Sequence, residues 1–454
     1  MEAKPDNLPL LMEANARRLT LAMEVCMAIS SAVLKRIIAD QSEEIYVSEG
    51  EYIERDVESK VRHLKNNREI IVITGMRRCG KSVLLNRIRK ESKESDYYFN
   101  FEDERLVGFT SEDFQTLQET FVELFGQQKT YYFDEIQNIF GWEVFLRRLY
   151  NAGNKIYVTG SNANLFSEEL GTKLTGRYLS VTMYPLSFRE LARHKGIDVG
   201  SIDRFSTAKR GIVKKLYHEY FLHGGIPGYI RDHQKEYLHS LYESMVYRDI
   251  VARYKLTNPH ALRQMLFFLA SNYGKEITFS SLRKIMGAGS TTTASDYCGY
   301  LERSFLCFFL SRYSDSVKAQ QQLPKKSYFV DHAFAQTVGF RSSNDEGRTL
   351  ENIVYLELRR RYSSLFSYRD KRECDFVVQE GNTASQAIQV CAGMNTPETR
   401  AREMEGVHEA VKRFSLSKGI IITTDERSTE TFTLGRKSCT IEIVPAWQWL
   451  LGEP

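Results

Sequence analysis

Gly75-Met76-Arg77-Arg78-Cys79-Gly80-Lys81-Ser82 follows the apolar run Ile70–Ile73 and runs straight into Val83-Leu84-Leu85. The spacing GxxxxGK[ST], set between a strand and a helix, predicts a loop whose successive backbone N–H groups face phosphate. Glycines at 75 and 80 let the backbone curl. Lys81 would reach the β- and γ-phosphates and the Ser82 hydroxyl would ligate Mg²⁺, so ATP and Mg²⁺ are the expected ligands. From Val83 onward the helix directs its positive end at the anion. Gly75, Arg78, Cys79, Gly80, Lys81, Ser82 and Val83 are the expected nucleotide-binding residues. A chance glycine-rich turn would not come with this strand and helix around it.

Outward from the loop, short apolar strands alternate with helices. Strands are expected at Glu69–Thr74, Tyr97–Phe101, Thr130–Phe133, Lys155–Thr159 and Tyr178–Met183. Helices are expected after Lys81 and around Glu112–Phe125, Trp142–Tyr150 and Ala163–Leu170. Uniformly apolar strands separated by helices describe a parallel sheet buried on both faces, a doubly wound α/β domain. Ligands in such sheets sit beyond the carboxyl ends of the strands. Tyr131-Tyr132-Phe133-Asp134-Glu135 ends a strand in two carboxylates. Asp134 would hold the Mg²⁺ and Glu135 would polarise the attacking water. Tyr157-Val158-Thr159-Gly160-Ser161-Asn162 ends another strand, and there Ser161 or Asn162 would orient that water.

Phosphate loop, intervening strand, Asp-Glu strand and polar strand end, in this order, resemble the P-loop ATPases of the AAA type. Gly75–Ser82, Asp134-Glu-Ile-Gln-Asn, Thr159-Gly-Ser-Asn-Ala, Gly176-Arg177 and Tyr184-Pro-Leu-Ser-Phe are similar, as a set, to a narrower group. This is a bacterial and archaeal group of AAA-type ATP-binding proteins with a conjoined C-terminal domain of unknown function. The resemblance covers about residues 50–450 and implies an ATPase. It also implies that Arg177 acts in trans on a neighbour's γ-phosphate in a homo-oligomer; pairing with Glu168 or Glu169 is the plain alternative. Of Arg77 and Arg78, one is expected in a salt bridge or facing DNA. The Cys79 thiol, beside a helix N-terminus and Lys81, is expected to be acidified and reactive, unless it simply packs.

Four regions are expected: a helical extension (1–45), the ATPase domain (46–200), a helical and winged-helix region (201–345), and an α/β nuclease-like domain (346–454). Spacing in 1–45 suggests one or two amphipathic helices forming a loosely attached extension, and Met27 is an alternative start. Helices Ala261–Ser271, Ser280–Met286 and Thr292–Phe305, then strands Cys307–Arg312 and Ser327–Val330, suggest a winged helix whose Ser/Thr/Tyr-rich third helix would enter a DNA groove. Met245–Lys318 holds ten Lys/Arg against five Asp/Glu, which fits duplex DNA at 245–330 or a solvated, protein-facing surface equally well. Gly224-Gly225-Ile226-Pro227-Gly228 lacks the Lys-Ser/Thr of a phosphate loop and reads as a structural turn.

The last region resembles the restriction-endonuclease-like fold, which implies metal ligands at Glu351, Asp375 and Gln389. Gln389 stands in place of an acid and Cys391 in place of the usual lysine, so the resemblance implies a degenerate, non-cutting core. Seven scattered cysteines without a CxxC pair indicate neither disulfides nor a zinc ribbon. A net charge of +4 demands no polyanion. Leu19–Leu34, interrupted by Glu24, falls short of a bilayer span, so a cytoplasmic chain without a membrane partner is expected. The reading is a Mg²⁺-dependent ATPase coupled to a DNA- or protein-binding effector. A slow nucleotide-gated switch or scaffold is the alternative, with an active nuclease behind it.

Overall fold

The computed structural model describes residues 29–43, 52–92, 94, 97–162, 174, 176–200, 205–340, 346–435 and 437–452. The expected helix at Ala163–Leu170, Met27 and the start of the extension lie outside these residues. Five parallel strands, β1 (Ile70–Gly75), β2 (Tyr97–Asn100), β3 (Thr130–Asp134), β4 (Lys155–Gly160) and β5 (Tyr178–Met183), form one sheet in the order β2-β3-β4-β1-β5. The two-residue period explains why β1 is apolar at consecutive positions. Ile71 and Ile73 pack on one face with Tyr132, Tyr157 and Val181, while Ile70 and Val72 pack on the other with Phe99, Phe133 and Val158.

The helix Ser31–Glu43 corrects one expectation. It is no loose extension: Leu34, Ile37 and Ile38 are buried in the second of these cores, and the Gln41 amide donates to the Asn100 carbonyl at 3.0 Å. A short stretch with three apolar residues on one face needs such a partner to be stable.

The middle region is helical from Thr207. Its sheet is three-stranded, β6 (Glu276–Ile277), β7 (Cys307–Ser311) and β8 (Lys325–Phe329), in the order β6-β8-β7. Helices Pro259–Ser271, Phe279–Met286 and Thr291–Arg303 precede β7. Met245–Ala252 is a π-helix, a widened turn that recurs at functional places. Gly225 is structural: a Cβ there would lie 2.1 Å from the Leu186 carbonyl oxygen, and the Leu186 N–H donates to the Gly225 carbonyl at 2.7 Å.

The C-terminal domain is a six-stranded mixed sheet: β9 (Ser364–Arg369), β10 (Glu373–Glu380), β11 (Thr383–Val390), β12 (Lys418–Thr423), β13 (Ser428–Leu434) and β14 (Lys437–Pro445), in the order β13-β14-β12-β11-β10-β9. Helices Glu346–Arg361 and Pro397–Arg413 cover it. A backbone bridge from Arg312 to Ser367 brings the middle sheet against β9. One continuous core runs from the β1 face through the middle helices to Leu356 and Phe376. Among the described residues, no helix is long and apolar enough to cross a membrane.

Candidate functional site

The loop after β1 owes its shape to crowding by β5. Gly75 pairs with Met183, and a Cβ at Gly75 would stand 2.1 Å from the Met183 carbonyl oxygen. Gly80 (φ +104°) and the exposed Arg78 (φ +61°) both take left-handed backbone, bending the chain into the helix Lys81–Lys90. A sequence reading misses the clamp beneath it. Arg55, almost fully buried, donates to the Cys79 carbonyl at 2.7 Å and to that of Tyr184 at 2.5 Å, and ion-pairs with Glu190 at 3.1 Å. No local motif marks Arg55, because its partners lie 24 to 135 residues away in the chain.

The acids of β3 reach the same place. Lys81 is 4 % exposed, donates to the Met76 carbonyl at 3.1 Å and lies 3.3 Å from a Glu135 oxygen. Burial alone would lower the Lys81 ammonium, but Glu135, with Cys79 and Asp134, holds it above its ordinary value. Burial likewise favours the neutral acid at Glu135, yet the Lys81 ammonium, Gln137 and Arg77 bring its carboxyl below the usual range. Asp134 is pushed up to about 6 by burial and by Glu135, against hydrogen bonds from Ser82 and Thr159 and the charge of Lys81. The Ser82 hydroxyl therefore meets the Asp134 carboxylate, the pair of oxygens a Mg²⁺ would need.

Thr159 is the residue that orders this corner. Its hydroxyl donates to Asp134 Oδ1 and accepts the Glu135 N–H at 3.0 Å, holding Glu135 in left-handed backbone at φ +49°. Sequence reasoning put the polar role on Ser161 or Asn162. Both are buried just past β4, and the Ser161 hydroxyl has no hydrogen-bond partner among the described residues. No signal in the sequence marks Thr159: β3 and β4 pair Phe133 with Val158, and only that register brings Thr159 level with Asp134.

Cys79 corrects an expectation. It is fully buried, its thiol points at the Met183 carbonyl at 3.4 Å, and burial raises its pKa despite Lys81 and Arg55. It packs, and the expected acidification is not what its surroundings impose. The folded chain is expected to resist thiol alkylation at Cys79, with or without ATP; mass spectrometry showing rapid labelling there in the native state would contradict this.

Arg77 is the salt-bridging arginine of the loop. It makes a two-pronged pair with Asp249 (3.1 and 2.9 Å) on the π-helix and a third bond to Glu102 at 2.7 Å, while Arg78 lies over the Tyr237 ring. Arg248 joins Glu102 at 3.0 Å. The phosphate loop is thereby tied to the middle region. Val83 is half-buried at the start of the helix. Arg177 lies over Tyr150 at the amino end of β5, the opposite end of the sheet from the loop, so within one chain it takes no part in the site. Glu168 and Glu169 are outside the described residues.

Comparison with known proteins agrees with this geometry. Residues 67–192 match the profile of an AAA domain, residues 214–345 a domain of unknown function (DUF8612), and residues 346–448 another (DUF4143). An uncharacterized protein of Methanocaldococcus jannaschii, MJ1544, is 32 % identical over 93 % of this chain and 97 % of its own length. The chain belongs to its family. An uncharacterized protein of Haemophilus influenzae is 34 % identical over 72 % of this chain and 83 % of its own. Among solved structures, a signal-transduction ATPase with a tetratricopeptide sensor from Pyrococcus horikoshii matches at TM-score 0.25 and 14 % identity, covering 70 % of this chain and 46 % of that one. The Drosophila origin recognition complex bound to AT-rich DNA and Cdc6 gives 0.21 and 10 %, over 74 % and 98 %.

In this family member the C-terminal candidates do converge. Glu351 and Asp375 share the Lys326 ammonium at 2.9 and 2.7 Å, and the Gln389 side-chain oxygen accepts the Asp375 N–H at 3.0 Å. Lys326 had no place in the sequence reading, since it comes from β8 of the preceding region. Among the described residues no group of three or more His, Cys, Asp or Glu is set to hold a metal. The half-buried Cys391 points its thiol at the Gly393 carbonyl. In the middle region, the third helix turns Tyr297 inward and stacks Tyr300 on Tyr254 at 4.0 Å, leaving Asp296 on its exposed side. Of its aromatic residues Tyr297 is core and Tyr300 is half-buried, whereas Thr291 and Thr292 at its start are exposed.

Proposed function

We propose that the chain is a Mg²⁺-dependent ATPase whose nucleotide site acts on a C-terminal half that grips a partner. The observation that carries it is the meeting of Lys81, Ser82, Asp134 and Glu135 at the carboxyl ends of β1 and β3, with Thr159 bridging the two acids. The AAA-domain match supports nucleotide binding. Lys81 and the loop amides would bind the phosphates, Ser82 and Asp134 would hold the metal, and Glu135 would take the proton from water. Bound Mg²⁺ supplies neutralisation of charge on the transferred phosphoryl group. Arg77 and Asp249 would carry the loop's state to the middle helices, and Arg177 would act in trans on a neighbouring copy.

The middle region, three helices followed by β7 and β8, would be a winged helix, and the C-terminal mixed sheet would be a nuclease-like fold that no longer cuts. The inward tyrosines and exposed Asp296 favour a protein partner over a DNA groove. One observation favours the second reading, a slow nucleotide-gated switch: Glu135 is paired to Lys81 and acidified, which makes it a weak base.

The test is steady-state phosphate release from ATP with Mg²⁺ or with EDTA, with and without duplex DNA. Metal-dependent turnover that DNA leaves unchanged is expected. Turnover below about 10⁻³ s⁻¹, the range of unassisted P-loop hydrolysis, would favour the switch. Clear stimulation by DNA would overturn the preference for a protein partner, and absence of any ATP binding would overturn the ATPase itself.

A further inference from the structure

The carboxylates of the C-terminal domain converge on a cation that the chain itself provides. Glu373 and Asp375, two apart on β10, point to one face of the sheet, and Glu351 reaches it from the helix Glu346–Arg361. An ammonium has three N–H donors. Lys326 Nζ lies 2.9 Å from Glu351, 2.5 Å from Glu373 and 2.7 Å from Asp375, one contact for each. Lys326 is 4 % exposed, and its strand β8 belongs to the middle region, not to the sheet that holds the acids. The acids are also aimed by their neighbours. Tyr328 donates to Glu351 at 2.6 Å, the Val390 N–H donates to the second Asp375 oxygen at 2.9 Å, and Arg369 stands 3.9 Å from Glu373.

Three oxygens from three carboxylates around one cation are the donors a hard divalent ion takes. Of the contacts around Nζ, that to Glu373 falls within Ca²⁺–oxygen distances, about 2.3–2.6 Å, and the other two exceed them by only a few tenths of an ångström. Glu373 is one-third exposed and opens one side of the pocket to solvent. A second cation could not enter beside the ammonium without strong repulsion at such range.

We infer that Lys326 is the resident cation of this pocket: its ammonium stands where a divalent ion would sit, clasping the middle region to the C-terminal domain and excluding metal. The inference is independent of the ATPase reading. The clasp accounts for a C-terminal domain that keeps its acids without a lysine of its own at Cys391. One ammonium faces three carboxyl groups, so removing it leaves a crowded cluster of oxygens that a divalent or trivalent ion would relieve.

The test uses the full-length chain without nucleotide and Tb³⁺, an oxygen-seeking ion whose emission is excited through nearby tyrosine, here Tyr328. With Lys326 present, no Tb³⁺ emission that Asp375→Asn removes is expected. Lys326→Met should gain a Tb³⁺ site at least ten-fold tighter than any Asp375-dependent site in the parent. Ca²⁺ should compete for it, Asp375→Asn should abolish it, and Ca²⁺ should raise the melting temperature of Lys326→Met alone. Asp375-dependent emission in the parent chain would overturn the inference, and that arm needs no change at Lys326. A Lys326→Met protein that is folded by circular dichroism yet takes no Tb³⁺ would also overturn it. So would one that is unfolded and is restored by neither ion.

Discussion

Lys81→Ala is expected to remove ATP binding, with affinity falling between about 30-fold and several thousand-fold, the span of the ~2–5 kcal/mol that a truncated buried charge partner costs. The ammonium is almost fully buried and fixed by the Met76 carbonyl and by Glu135, so alanine also leaves Glu135, beside Asp134, without its ion-pair partner. Breaking a buried pair by removing one partner costs about 3–5 kcal/mol of stability. The melting temperature should therefore fall as well, which by itself could mimic lost binding. The double variant Lys81→Ala/Glu135→Gln separates the two effects. It removes the orphaned charge, so the melting temperature should recover while titration with a fluorescent nucleotide still shows no tight binding. Wild-type affinity in either protein would dismiss the assignment of the loop.

Such a separation is available because the loop and its partner acids were readable in the chain. GxxxxGK[ST] depends on local backbone and on residue type, and the five strands around it show as apolar runs because both faces of the sheet are buried. Thr159, Arg55 and Asp249 were not readable in the same way. Thr159 acts on Asp134 through strand pairing, and its choice over Ser161 depends on a register that one chain does not display. Arg55 and Asp249 are single charged residues with no pattern around them, and only the fold takes them to Cys79 and Arg77.

Cys79 shows the opposite failure. Proximity to a helix start and a lysine argues for a thiolate, but burial against Met183 outweighs both, and burial of a single small residue leaves no trace in composition. In the C-terminal domain the chain carries Cys391 where the resemblance implies a lysine, and the lysine that meets Asp375 comes from β8, outside the domain where a motif would look. The edge strand β13 is hard to read from sequence for another reason. Its alternating Ser428–Leu434 pairs on one side only, with β14, and carries little apolar residue content to announce it.

Glu135→Gln is expected to bind ATP at least as tightly as the parent and to turn it over about 10²- to 10⁴-fold more slowly, the usual contribution of a general base. Glutamine keeps the shape and an oxygen for Lys81 but cannot take a proton. Removal of a negative charge 3.3 Å from Lys81 also frees that ammonium for phosphate, so affinity should hold or rise. Thr159 should still accept the backbone N–H at position 135, leaving the corner intact. Binding by nucleotide titration and turnover by phosphate release thus move in opposite directions, whereas Lys81→Ala loses both. Undiminished turnover in Glu135→Gln would place the base elsewhere. A drop of only a few-fold from a slow parent would mean that Glu135 serves mainly as the counter-ion of Lys81, because a carboxylate held below its usual pKa by that ammonium accepts a proton poorly. The size of the drop, more than its existence, therefore distinguishes an ATPase from a switch.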